Sequence, residues 1–201
     1  GTERQARGPV AGDQEHAAHA RHRPQYRQRI GGERAQAHAN LADLGGGQAG
    51  LAVGYHLQRA NRPFLILDAN ERVGDAWRQR WPSLRLYSPA LVDGLPGMRF
   101  PGPSYAYPTG AEMADYLETY AERFDLPVVN GVRVETLDRE DGGYVVSAGE
   151  RRFEADNVVV ATGVFQREHP VVPEFAVELN AGIGQLHSAD YRSPDLLACA
   201  Q

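Results

Sequence analysis

The residues of this 201-residue chain whose types and spacing could do chemistry begin at Gly45. The run Gly45-Gly46-Gly47-Gln48-Ala49-Gly50 fits the pattern G-x-G-x-x-G. In that pattern the first glycine permits a tight turn, the second lets backbone approach a pyrophosphate, and the third lets a helix pack closely. Asp68 follows eighteen residues after Gly50, which is close to the spacing of an acid that accepts a ribose hydroxyl hydrogen bond. The spacing predicts a dinucleotide site. The plainer interpretations are that the glycines form a linker and that Asp68 is a solvated turn residue.

The elements that must position these residues are a strand, a helix and a second strand. Gln48 to Ala60 has apolar residues spaced i to i+4, which predicts a helix that starts at the glycine turn. Residues 64–68 form a continuous apolar run that closes on Asp68, as in a parallel strand covered on both faces. The preceding strand is poor, since residues 41–44 hold only two leucines, and Asp43 would be buried without a partner. We therefore expect a short, strained or poorly ordered first strand.

Further elements follow in the order of a nucleotide-binding α/β domain. Residues 82–108 are rich in Pro and Gly and predict a long ordered loop of the kind that covers a ligand. Thr109 and Glu112 form a capping-box pattern that opens an amphipathic helix through Phe124. A short strand at 126–129 precedes a β-meander with predicted strands at 132–137, 144–148 and 152–160. The last strand runs into Ala161-Thr162-Gly163, a turn that would lie at the carboxyl edge of the sheet.

Composition and charge divide the chain near residue 40. Residues 1–40 carry seven Arg against four acids, four of the seven His and almost no large aliphatic residues, although the whole chain has a net charge of −5. Such a segment cannot bury enough surface to offset its ordering entropy, so we predict that 1–40 is disordered and not part of the fold. A basic arm for nucleic acid and a His metal site are the functional alternatives. We favour a solvated tail or a segment translated in the wrong frame, because the Arg are scattered without an aromatic pattern.

Several functional classes lack support in the sequence. No His/Cys/Asp/Glu cluster has metal-ligand spacing, so no metal site is predicted. The single Cys199 excludes an internal disulfide and a CxxC redox pair, and no apolar run is long enough to span a membrane. These features predict a cytoplasmic protein with neither nucleic acid nor membrane as a partner.

Four segments taken together resemble a known family. GGGQAGLAVGYHL, FLILDANERVGDAWRQRW, SLRLYSP and VVVATGVFQ resemble, in order and spacing, the FAD domain of flavin-containing monooxygenase-like oxidoreductases. The resemblance runs from about Gly45 to Asp195 and implies an α/β fold. That fold is a Rossmann-like, three-layer FAD-binding domain with a parallel sheet and an inserted β-meander. It implies FAD and NADPH as cofactors, with the NADPH-binding domain beyond this chain.

The resemblance also implies which residues hold FAD. Glycines of the turn would bind the pyrophosphate, and Asp68, where the family usually has Glu, would bind the adenosine ribose. Trp77 would lie near the flavin, unless it is a plain core aromatic, and the backbone of Val134 would meet the adenine. Thr162 and Gly163 would approach the phosphates, unless their turn is an ordinary strand exit. The predicted cofactor-binding residues are Gly45, Gly47, Gly50, Asp68, Trp77, Val134, Thr162 and Gly163.

One family fingerprint is only half present. His187 to Tyr191 fits the tail of FxGxxxHxxxY, but Ala181 and Ile183 stand at the expected Phe and Gly positions. The resemblance implies a structural or coupling role for His187 between two domains, and a surface loop residue is the alternative.

The function implied is that of an NADPH-dependent monooxygenase that oxygenates a small organic substrate through a flavin hydroperoxide. A flavin-dependent reductase that uses no oxygen is one alternative, and a truncated fragment that is not catalytic is another. Residues 41–201 would form the FAD-binding domain, truncated before the NADPH-binding domain, and we expect a fragment or a disrupted reading frame.

Overall fold

The fold is built on one mixed sheet with helices, and the computed structural model describes residues 36–163, 171–188 and 190–197. Its strands are β1 (Gln36–Leu44), β2 (Leu65–Leu67), β3 (Val128–Val129), β4 (Thr136–Glu140), β5 (Gly143–Ala148) and β6 (Arg151–Val160). Its helices are α1 (Gln48–Arg59), α2 (Asp75–Arg78) and α3 (Gly110–Arg123). Short 3₁₀ turns follow at Glu174–Glu178 and Pro194–Leu197.

The sheet has the strand order β3-β2-β1-β6-β5-β4. β1 lies parallel to both β2 and β6, and β2 lies parallel to β3, whereas β4, β5 and β6 are antiparallel neighbours. The predicted α/β class and the meander are confirmed, but the meander belongs to the same hydrogen-bonded sheet as the parallel strands. The ten-residue β6 joins the two parts, because its first half pairs with β5 while the stretch from Arg152 to Val160 pairs with β1.

The first strand differs from its prediction. β1 spans nine residues and starts at Gln36, so residues 36–40 belong to the fold although we predicted disorder through residue 40. Pairing with β6 runs from Gln36↔Arg152 to Leu44↔Val160, and pairing with β2 covers Ala42 to Leu44. Backbone hydrogen bonds from two neighbours thus make a strand where the side-chain pattern is weak. The prediction for residues 1–35 lies outside the described residues.

The meander also starts later than predicted. Its first strand was expected at 132–137, but β4 begins at Thr136. Gly131 has a positive φ of 67°, and the Val132 N–H donates to the Asp68 carbonyl at 2.8 Å. These contacts hold the start of the segment against the end of β2, and the chain reaches β5 only at Glu135, whose N–H donates to Ser147 O at 2.8 Å.

The two long helices enclose an aromatic core. α3 begins at the predicted capping box, in which Glu112 N–H donates to Thr109 Oγ1 at 3.1 Å and Thr109 N–H donates to the Glu112 carboxylate at 2.7 Å. The aromatic side chains of the core pack mainly edge-on or tilted, as aromatic pairs prefer; they include Tyr55, Tyr116, Tyr120, Phe124 and Phe100.

The Pro- and Gly-rich segment 82–108 is anchored on α3. Tyr116 Oη accepts a hydrogen bond from Leu95 N–H at 2.6 Å and donates to Met98 O at 2.7 Å, and Tyr120 Oη donates to Pro96 O at 2.7 Å. These bonds confirm an ordered loop. No helix in the described part of the chain is long and apolar enough to cross a membrane.

Candidate cofactor-binding site

The glycine-rich turn connects β1 to α1 through a backbone conformation that needs glycine. Gly45 has a φ of 127°, and its N–H donates to Leu67 O on β2 at 2.9 Å. A Cβ at Gly45 would lie 2.4 Å from Ala161 O, and one at Gly50 would lie 1.9 Å from Gly45 O. Both positions therefore exclude any larger residue, as the motif predicted for a tight turn and close helix packing.

The two middle positions of the turn differ in the space around them. Gly46 N–H donates to Asp68 Oδ2 at 2.6 Å, so a side chain at Gly46 would collide with that carboxylate. A Cβ at Gly47, by contrast, would meet nothing within 4 Å among the described atoms. Gly47 is the N-cap of α1 and offers no side-chain cap. Free N–H groups and the positive end of the helix dipole at this open position suit an anion such as a phosphate.

Asp68 is held in place at the carboxyl end of β2. Besides Gly46 N–H, its carboxylate accepts hydrogen bonds from Asn70 N–H at 2.7 Å and from Asn70 Nδ2 at 2.8 Å. The residue is 7% exposed, so it is not the solvated turn residue of the plainer interpretation. The contact with Gly46 was not predicted, because the motif treats that position as variable. The signal that could have indicated this contact is the position of an acid directly after β2, because β2 ends beside the glycine turn.

The turn after β6 lies against the glycine turn. Ala161 N–H donates to Leu44 O at 2.9 Å, and Thr162 N is 3.2 Å from the position of a Gly45 Cβ. Thr162 and Gly163 are exposed, and Gly163 has a positive φ of 75°. The structure thus gathers the glycine turn, Asp68 and the 161–163 turn at the carboxyl edge of the parallel strands, where open α/β sheets bind ligands.

Trp77 lies on the short helix α2 and is half-buried against the aromatic core. The Arg80 guanidinium lies 4.7 Å from its ring centroid, within the range of a cation–π contact, and burial lowers the pKa of Arg80. Gln79 Nε2 donates to Asn70 Oδ1 at 3.3 Å, which connects the end of α2 to the turn that carries Asp68. Trp77 is therefore partly a core residue, and its contact with a flavin stays a prediction.

Val134 is not in a strand, contrary to the sequence-based expectation. It is half-buried in the extended segment before β4, two residues after the Val132 N–H that bonds Asp68 O. The segment passes the carboxyl end of β2 beside Asp68, and contact with an adenine stays a prediction.

The half-fingerprint at His187 lies in the segment that precedes the last 3₁₀ turn. His187 is half-buried, and its carbonyl accepts a hydrogen bond from Asp190 N–H at 2.9 Å. Tyr191 packs edge-on against Trp81 with ring centroids 5.6 Å apart, so the HxxxY segment contacts the chain that follows α2. The coupling role of His187 stays a prediction.

Asp43 is the buried charged residue that the sequence predicted. Its side chain is 0% exposed, and neither carboxylate oxygen has a hydrogen-bond partner among the described residues. Burial raises the pKa of Asp43 from 3.8 to about 7. A Cβ at Gly50 would be 3.2 Å from Asp43 Oδ1, so the carboxyl group lies under the first turn of α1.

Comparison with known proteins identifies the family to which the chain belongs. Residues 44–195 match the pyridine nucleotide-disulphide oxidoreductase family, and the chain belongs to that family of oxidoreductases. The chain is 42% identical over 154 residues to an uncharacterized CzcO-like oxidoreductase of Geobacillus kaustophilus, a match that covers 77% of the chain and 44% of the relative. It is 33% identical over 165 residues to a probable indole-3-pyruvate monooxygenase, YUCCA7, of Arabidopsis thaliana, covering 75% of the chain and 37% of the relative.

Solved structures agree with this assignment. The flavin-containing monooxygenase of Stenotrophomonas maltophilia is similar with a TM-score of 0.72 and 37% identity, covering 80% of this chain and 48% of that one. The predicted resemblance to flavin-containing monooxygenase-like oxidoreductases is therefore confirmed. The chain spans less than half the length of these relatives.

Proposed function

We propose that this chain is the FAD-binding portion of an NADPH-dependent flavoprotein monooxygenase that acts on a small organic substrate. The observation that supports it best is the open Gly47 beside a carboxylate already fixed at Gly46. The turn offers N–H donors for a pyrophosphate, and the Asp68 carboxylate that it contacts offers an acceptor for a ribose hydroxyl. The relatives at 37% and 33% identity, a flavin-containing monooxygenase and a probable monooxygenase, support the reaction class.

The residues present fit FAD. The turn at 45–50 would hold the pyrophosphate by backbone N–H groups, and Asp68 would accept a hydrogen bond from the adenosine ribose. Thr162 and Gly163, exposed beside Gly45, would line the same phosphates. When bound, FAD supplies the redox chemistry with NADPH as reductant, while the protein binds and orients it. Residues 82–108 would limit access of water to this region.

Cofactor binding is tested on the 201-residue chain with two matched N-cap variants. Gly47→Ala places a methyl group at the open phosphate position of α1, whereas Thr109→Ala removes the cap of α3. We expect the chain to quench flavin fluorescence on titration with FAD, Gly47→Ala to weaken that binding at least about tenfold, and Thr109→Ala to leave it unchanged. A chain that stays folded by circular dichroism but binds no FAD would refute the proposal.

The reaction class is tested separately. Because the NADPH-binding domain is expected beyond this chain, the bound FAD is reduced with dithionite under nitrogen, and air is then admitted while the visible spectrum is followed. Bound FAD that stays reduced in air would favour a reductase that uses no oxygen over a monooxygenase.

A further inference from the structure

The feature that the proposed function leaves unexplained is the buried carboxyl group of Asp43. It projects from β1, where its register neighbours are Ile66 on β2 and Val159 on β6. Both of its oxygens are buried, and in the part of the chain that the structure describes neither has a hydrogen-bond partner. A buried carboxylate without a partner destabilises the fold, so packing alone does not explain why an aspartate stands at this position.

The described elements packed around Asp43 supply no compensating charge. The first turn of α1 above it has no acidic residue and begins Gln48-Ala49-Gly50, and the basic residues of that helix, His56 and Arg59, lie in its last turn. The charged group that contacts the glycine turn is another carboxylate, Asp68, which accepts a hydrogen bond from Gly46 N–H at 2.6 Å. Burial alone, and no charged neighbour, accounts for the raised pKa of Asp43.

The geometry sets Asp43 and the proposed phosphate site at the same helical turn. Asp43 Oδ1 lies 3.2 Å from the position of a Gly50 Cβ, and a Cβ at the N-cap Gly47 of the same helix would meet no described atom within 4 Å. A pyrophosphate and an ionised Asp43 would draw on the same positive end of the α1 dipole, and their charges would repel across poorly hydrated protein. A neutral Asp43 carboxyl group would not oppose the phosphate.

We propose that Asp43 makes cofactor affinity depend on proton concentration: the neutral carboxyl permits tight binding of FAD and the ionised carboxylate weakens it. This inference rests on the proposed binding of FAD at the glycine-rich turn. By linkage, FAD must also favour the protonated form of Asp43, so binding near neutral pH takes up protons from the buffer. The protonation state of one residue of β1 would thus control how much of the protein binds the cofactor at a given pH.

The test compares the full chain with Asp43→Asn, which keeps the side-chain shape but cannot ionise, and with Asp43→Val, which removes the polar group. The Kd for FAD is measured by fluorescence quenching at pH 6 and pH 8, and circular dichroism of the same samples gives the folded fraction used in the calculation. We expect Kd of the unmodified chain to rise about tenfold from pH 6 to pH 8, and that of either variant to stay constant. All three proteins contain His56 and His187, so a difference in pH dependence between them cannot come from these two histidines.

Calorimetry in two buffers of different ionisation enthalpy gives a second readout. Proton uptake on FAD binding near pH 7 is expected for the unmodified chain and not for Asp43→Asn. Equal pH dependence in all three proteins would overturn the role of Asp43 while leaving FAD binding intact. No FAD binding by any of them, at either pH, would overturn the proposed function and this inference with it.

Discussion

Replacing Asp43 by valine should stabilise the protein by an amount that grows with pH. In the unfolded chain the carboxyl has an ordinary pKa near 3.8, whereas burial in the fold raises the pKa to about 7. The folded state therefore holds the proton more tightly, and stability is lost as pH rises from the unfolded value through the folded one. At pH below both values the carboxyl costs little, and above about 7 the full penalty applies.

The magnitude follows from the separation of those two pKa values. About three pH units at about 1.4 kcal/mol each give a penalty of about 4 kcal/mol, of which about 3 kcal/mol develops between pH 5 and pH 8. A domain is typically stable by only about 5–15 kcal/mol, so this carboxyl decides how much of the chain is folded at neutral pH.

The assay is urea unfolding of the chain and of Asp43→Val at pH 5, 6, 7 and 8. Other titrating groups are shared, so the measured quantity is the difference in unfolding free energy between the two proteins, which should widen by about 3 kcal/mol over this range. The difference in unfolding free energy from the unmodified chain should change with pH for Asp43→Asn as it does for Asp43→Val. For Asp138→Val, which removes an exposed carboxyl from β4, that difference should not widen. A difference between Asp43→Val and the unmodified chain that is constant from pH 5 to pH 8 would refute the reasoning.

Three other substitutions test the packing around the site. Gly45→Ala, with a Cβ 2.4 Å from Ala161 O at a φ of 127°, should lower the melting temperature and abolish FAD binding, and a normal melt would contradict the close approach. Thr109→Ala should cost about 1 kcal/mol in urea unfolding through loss of the α3 cap; no loss would mean that the capping box contributes nothing. Arg78→Gln removes ion pairs to Asp75, Asp115 and Glu118, and it should expose α2 to proteolysis before the rest of the chain. Simultaneous cleavage throughout would contradict that role.

The sequence was informative where local chemistry fixes structure. The helix from Gln48, the capping box at Thr109 and the acid after β2 each follow from rules that act within a few residues, and the structure has all of them. The start of β1 at Gln36 follows no such rule, because it depends on backbone pairing with β6, more than a hundred residues away. Contacts of that range leave no periodic pattern in either strand. The bond from Gly46 to Asp68 was missed because the glycine motif leaves the residue at position 46 unspecified.

The geometry of the glycine turn explains how it coexists with a first strand of weak composition. Gly45 N–H is bonded to Leu67 O on β2, Gly46 N–H is bonded to Asp68, and Ala161 after β6 donates to Leu44 O. The turn and the end of β1 contribute only backbone atoms to these bonds, and any residue on β1 supplies such atoms equally well. An aspartate at position 43 therefore leaves the shape of the turn intact and acts on it through charge alone. For that reason substitutions at Asp43 should change the pH dependence of cofactor binding without altering the fold that surrounds it.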